Sequence, residues 1–139
     1  MHTITDHKVN GLNEAINIVA VDEPGPGGAN HRYDLRLIGP SPVGGIDTGS
    51  VFIDFQNGPI KEAGYNGLSN EALLAVLIDR MRGFQYGRTP DGAFNTRCPG
   101  TYACKENACA LTHMEEALMW LQKRTRDRMA RGVEGTHQK

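Results

Sequence analysis

The sequence predicts an α+β fold: a small N-terminal antiparallel sheet followed by a C-terminal antiparallel helical hairpin, within one domain spanning residues 1–139. Three observations carry this. Residues 1–67 alternate short β-type runs with glycine- and proline-rich breakers. Residues 68–139 hold two segments whose apolar side chains recur at three and four positions. A long breaker-rich stretch, 85–103, separates those two segments.

Ile16, Ile18, Ala20 and Val21 mark a first strand, and PGPGG at 24–28 is a turn. His31–Ile38 alternates, with Tyr33, Leu35 and Leu37 on one side and Asp34 and Arg36 on the other. Residues 39–50 read as a loop, and Val51, Ile53 and Phe55 alternate again as a third strand. Residues 56–67, QNGPIKEAGYNG, are a turn-rich linker. Helix one begins at Ser69 or Asn70, both good N-caps, with Glu71 favourably placed in the first turn. Leu73, Leu74, Leu77, Ile78 and Met81 form its apolar face, and Gly83 ends it. Helix two runs from Lys105 to Arg131, where Gly132 stops it.

Composition removes several function classes. Hydrophobic residues make up 39% and charged residues 22% of the chain, which suits a globular protein with a modest core. The net charge of −1 gives no global basic field, so long nucleic acid is not an expected partner. Positive charge is local: Lys123, Arg124, Arg126, Arg128 and Arg131 face a single Asp127 over 123–131. No apolar run approaches the roughly 18–20 residues of a membrane helix, and the start of the chain is polar. A cytoplasmic protein with reduced cysteines is expected.

Helix two carries the most information. Leu111, Met114, Leu118 and Leu121 form an apolar seam, and Arg124, Arg128 and Arg131 follow at i, i+4 and i+7. Such a ladder can grip phosphates bidentately, or it is a solvated helix end favoured by the dipole. Asn107 sits one turn before the seam. Asn107 and Arg128 are 21 positions apart, roughly 31 Å along a helix. A mononucleotide-sized ligand of about 10–15 Å cannot span that distance. A site using both ends must therefore lie between subunits, or else the face is an oligomer seam.

Other candidates stand beside alternatives. Phe84, at the hairpin turn near Asn107, offers a face for a nucleobase or is a core phenylalanine. Cys98, Cys104, Cys109 and His113 form C-x5-C-x4-C-x3-H, within the range of Cys-Cys-Cys-His zinc modules that bind RNA, or are three reduced cysteines and a surface histidine. The tail GVEGTHQK puts Gly135 and Thr136 near Arg131 as a second anion site, or it is a frayed end. Asp22, Glu23, His31, Asp34, Asp47 and Asp54 are scattered and read as exposed sheet residues. Neither a P-loop nor a Gly-x-Ser-x-Gly motif occurs, so an enzyme, for instance a nucleotide hydrolase, is not the expectation, and no cofactor is expected.

GFQ at 83–85, CKENACAL at 104–111, EEALMWLQKRTRDR at 115–128 and RGVEGTH at 131–137 resemble the helical hairpin of phage Thoeris anti-defence proteins of the first type. A similar hairpin occurs in phage anti-CBASS cyclic-nucleotide sponges. The resemblance covers residues 52–137, with FQNGPIKEAGYNG at 55–67 as a weaker part. It implies a homohexamer in the infected host's cytoplasm that sequesters cyclic ADP-ribose isomers without cutting them. By the same resemblance, the ligand residues are Phe84, Asn107, Arg124 and Arg128. A second pocket for cyclic oligonucleotides would use Arg131, Gly135 and Thr136. The chain departs from the family between Gly-Phe-Gln and Cys-x-x-Asn, where about ten residues are usual. Here an extra stretch, Arg88–Gly100, borders Phe84 and supplies Cys98.

Overall fold

A computed structural model describes residues 1–40, 46–47, 49–95 and 99–138. The chain divides into two compact units, Met1–Leu68 and Ser69–Lys139.

The first unit is built on a four-stranded antiparallel sheet in the order β1-β2-β3-β6. Its strands are β1 (His2–Ile4), β2 (Ile16–Ala20), β3 (Arg32–Leu37) and β6 (Ser50–Asp54). A two-residue pair, β4 (Gly39–Pro40) with β5 (Ile46–Asp47), lies between β3 and β6 in sequence, where a loop was expected. The register pairs Ile18 with Leu35, Ala20 with Tyr33, and Tyr33 with Ile53. Directly paired residues share a face, so the alternating apolar sets of three strands fall on the same side of the sheet. Strand β1, absent from the sequence reading, pairs His2 with Ala20 and Ile4 with Ile18. The short helix α1 (Gly11–Glu14), capped by Asn10, joins it to β2.

The other face carries a polar exception. Asp34 is buried, not exposed as its isolated carboxylate suggested, and the Arg36 guanidinium donates to it at 2.8 Å. Asp22 is likewise a structural acceptor, taking the backbone N–H groups of His31 and Arg32. Residues 56–67 contain the helix α2 (Ile60–Ala63) and close on themselves through side-chain amides. Asn57 and Asn66 bond reciprocally at 2.8 Å, and Gln56 reaches the Gly64 carbonyl at 2.7 Å.

The second unit is the hairpin of α3 (Asn70–Tyr86) and α4 (Lys105–Ala130). Ser69 starts α3 by accepting the Ala72 N–H on its hydroxyl at 3.1 Å. Ser69→Ala is expected to cost about 1 kcal/mol, read as a lower urea midpoint with unchanged slope. Ile78 from α3 and Leu111 from α4 are buried, and Arg82 binds Glu115 at 2.7 Å to link the two helices. Among the described residues only Ala20, Ile78 and Leu111 are buried apolar positions. Val76, Met119, Trp120 and Met129 stay exposed on the helices.

Candidate functional site

The hairpin presents two chemically distinct regions, one at each end of α4. The first surrounds Phe84. Helix α3 does not stop at Gly83; it continues through Phe84 to Tyr86. The helix ends at Gly87, whose φ of 71° and ψ of 173° leave the helical backbone in a conformation open to glycine. A glycine inside a helix costs only about 1 kcal/mol relative to alanine, so Gly83 does not end the helix. Phe84 therefore lies in the last helical turn. There it borders an open cavity of about 640 Å³, lined also by Val76, Arg80, Gly83, Arg88 and Tyr102. That volume falls within the usual range for small-molecule sites.

The inserted stretch supplies part of this wall. Thr89-Pro90-Asp91-Gly92 is a tight turn closed by the Gly92 N–H on the Thr89 carbonyl at 2.8 Å, with Gly92 at φ 86°. The Thr89 hydroxyl bonds Asp91 and holds its carboxyl below the ordinary aspartate value. Arg88 is fixed on three sides. It donates to Asp79 at 2.5 Å and to the Gly92 carbonyl at 2.7 Å, and its guanidinium lies 4.4 Å from the Phe94 ring centroid. The returning chain packs Gly100 against the end of α3, where a Cβ would strike the Phe84 carbonyl and the Gly87 nitrogen.

Asn107 is brought to the same end. Cys104 caps α4, its sulfur accepting the Asn107 N–H at 3.4 Å. The Asn107 amide donates to the Tyr102 carbonyl at 3.4 Å. The Tyr102 ring meets Phe84 edge-on, with centroids 6.1 Å apart. The Gln85 side chain accepts the Cys104 N–H at 3.4 Å. Gly-Phe-Gln and Cys-x-x-Asn are thus joined through Tyr102 and Cys104. Sequence reasoning missed Tyr102, which lies in a loop without periodic pattern.

The second region is the C-terminal end of α4. Here the arginine ladder divides. Arg124 and Arg131 are exposed and line a cavity of about 250 Å³ with Trp120, Lys123 and Asp127. Arg128 lies elsewhere, its side chain only 12% exposed. It donates to Glu134 at 2.8 Å and to the carbonyls of Gln138 at 2.8 Å, Val133 at 3.0 Å and Thr136 at 2.9 Å. Four of the five guanidinium hydrogens are occupied in this way. The segment 133–138 is folded back on Arg128 rather than frayed. Gly135 is buried at φ 78°, and the Thr136 hydroxyl donates to the Val133 carbonyl at 2.7 Å.

Lys123 and Asp127 pair at 2.6 Å within the cationic face. The hydrogen bond from Lys123 holds the Asp127 carboxyl below its ordinary value of 3.8, with the charges of Lys123, Arg131 and Arg126 adding to it against partial desolvation. A carboxyl with a depressed value keeps its pairing above the ordinary range and loses it as pH falls through the folded value. Near neutral pH Asp127 therefore opposes any anion arriving at Arg124 and Arg131. Asp127→Asn is expected to raise sulfate affinity roughly threefold at low salt, with the gain lost as salt screens the charges. Titration calorimetry at two ionic strengths checks this.

Cys104 and Cys109 are free and exposed, and His113 faces Glu116 at 3.4 Å. Cys98, the first member of the zinc-like spacing, lies outside the described residues. Among the described residues no three His, Cys, Asp or Glu side chains gather as a metal site. No helix among them is long and apolar enough to cross a membrane.

The sequence model of the Acb2/Tad1 hairpin domain matches residues 47–126, more than half of the chain. The chain belongs to the Acb2/Tad1 hairpin-domain family. The matched region contains Phe84, Asn107 and Arg124, whereas Arg128, Arg131, Gly135 and Thr136 follow it. A protein named Thoeris anti-defense 1, from Bacillus phage SBSphiJ7, is 49% identical over 87 residues, covering 63% of this chain and 52% of that relative. The chain thus spans about half the length of the curated relative it matches. These matches bear out the family resemblance read from the sequence.

Proposed function

We propose that this Acb2/Tad1 hairpin protein is a phage anti-defence protein of the infected host's cytoplasm. It binds cyclic ADP-ribose-type signalling nucleotides and holds them without degradation, so that the host immune effector is not activated. The name of its phage relative supports the anti-defence part of this reading. The nucleotide part rests above all on the opposite chemistries at the two ends of α4. An aromatic cavity, with the Asn107 amide bonded to the backbone of its Tyr102 wall, stands at one end, and a tryptophan–arginine face at the other.

Phe84 supplies a stacking face, Asn107 an amide for the base edge, and Arg124 and Arg128 the phosphate contacts. Each charge-assisted contact is worth roughly 1.5–3 kcal/mol, enough for two arginines and a stack to support tight binding. Arg128 enters this set with one guanidinium hydrogen uncommitted, or by exchanging its tail acceptors for phosphate oxygens. The helix keeps the two ends apart, so the proposed site joins the aromatic end of one protomer to the cationic end of another. The exposed apolar side chains along the helices support self-association, proposed as a homohexamer. Arg131, Gly135 and Thr136 are the proposed lining of a second pocket for cyclic di- or trinucleotides.

The test is retention followed by release. The protein is incubated with cyclic ADP-ribose isomers and cyclic di- and trinucleotides, separated from free ligand, and heat-denatured. Recovery of intact cyclic ligand is the expected result. Linear or hydrolysed product means an enzyme, and no retention of any ligand removes the reading.

A further inference from the structure

The cavity at the Phe84 end carries a cation that neither the motifs nor the family match assigns. Arg80 lies one helical turn before Phe84, and its guanidinium sits over the Phe84 ring, 4.8 Å from the centroid. It is exposed, lines the cavity and, among the described residues, has no carboxylate partner. Its neighbours differ. Arg82 is taken by Glu115, and Arg88 is fixed by Asp79, the Gly92 carbonyl and the Phe94 ring. Among the described residues, Asp79 is the acidic group on the cavity wall and is matched by Arg88, which leaves the charge of Arg80 unbalanced there.

We propose that Arg80 is a phosphate-binding cation of this cavity and that Tyr102 is its second aromatic wall. Together with Phe84 they recognise a phosphorylated aromatic heterocycle. The assignment deepens the function proposed above and rests on it. An exposed arginine over the half-buried Phe84 ring is held there by a cation–π contact alone, whereas a guanidinium–phosphate contact is charge-assisted and bidentate. An arriving nucleotide exchanges one for the other: the base takes the ring face that Arg80 vacates, and Arg80 takes the phosphate. The Tyr102 ring stands perpendicular to Phe84, at 90°, and closes the side of the stack. The Asn107 amide holds the Tyr102 backbone in place. Gly83, between Arg80 and Phe84, adds no side chain to the cavity.

The experiment compares cyclic ADP-ribose, which carries phosphates, with adenosine, which does not, by calorimetry on the full chain. For Arg80→Ala, cyclic ADP-ribose affinity should fall at least about tenfold while adenosine affinity holds or rises slightly. Arg80→Lys should recover part of the loss, because the charge returns without the fork. Tyr102→Leu should weaken both ligands. Equal losses for both ligands in Arg80→Ala would mean that Arg80 only packs, and the assignment falls. If wild type binds and Phe84→Ala abolishes binding while Arg80→Ala leaves it unchanged, the assignment again falls but the sequestration reading stands. If wild type retains no nucleotide, both fall.

Discussion

Gly83→Leu is expected to lower nucleotide retention about a hundredfold while leaving the protein more stable. Both effects follow from one position. Gly83 is inside α3, where leucine is favoured over glycine by roughly 0.8 kcal/mol. A Cβ built there meets nothing within 4 Å, so the first added atom brings no clash, and the rest of the leucine side chain has the open cavity beside it. For a domain of this size the gain corresponds to a rise in Tm of roughly 2–4 °C. The new side chain enters the cavity between Arg80 and Phe84, the volume assigned to the base. Gly83→Ala should give the same stabilisation with a smaller loss of binding. Scanning calorimetry and ligand retention on the same samples separate the two effects. A Gly83→Leu protein that binds as well as wild type would show that this cavity is not the ligand site.

Arg128→Ala is expected to cost about 2 kcal/mol, below the scale for one partner of a fully buried charged pair because Arg128 and Glu134 are only partly buried. The loss is not one bond. Glu134 and the carbonyls of Val133, Thr136 and Gln138 all take their hydrogens from this guanidinium. Arg128→Lys should recover little, since an ammonium is a point charge without the planar fork that reaches several acceptors. Hydrogen exchange should localise the effect, with amides of 133–138 exchanging early and those of Leu111–Leu121 protected as before. Unchanged protection in the tail would mean that Arg128 does not hold it. Because Gly135 and Thr136 ride on this segment, the variant should also impair any second pocket they line.

The division of the arginines shows what was legible and what was not. The seam Leu111, Met114, Leu118, Leu121 extrapolates to Thr125 and Arg128 at the same spacing, and both are less exposed than their neighbours. Read that way, the sequence already sets Arg128 apart from Arg124 and Arg131. Grouping the three by residue type hid this. Strand β3 was legible because its side chains alternate over six residues, and β2 and β6 because Ile, Val and Phe dominate them. Strand β1 was not, because three residues carry too little period and its partners lie 14 or more positions away. The helix end was misplaced by treating Gly83 as a stop, when Gly83 keeps a negative φ and the backbone leaves the helix at positive φ only at Gly87. Arg80 was legible in principle, standing four residues before Phe84 on the same helical face. Tyr102 reaches Phe84 only because the loop returns past Gly100, a tertiary fact that no local pattern encodes.

The central claim is that the aromatic end of one protomer and the cationic end of another build one ligand site. Mixing variants tests it most directly. Asn107→Ala impairs the first half and Arg124→Ala, at an exposed position, the second. The two proteins are unfolded, mixed in equal amounts, refolded together and assayed for retention of cyclic ADP-ribose. If each site takes one half from each of two chains in a symmetric interface, about one quarter of the sites regain both wild-type halves. The mixture should then bind at wild-type affinity with that reduced capacity, although neither parent does. A mixture that binds no better than the parents would contradict the shared site and return each pocket to a single chain.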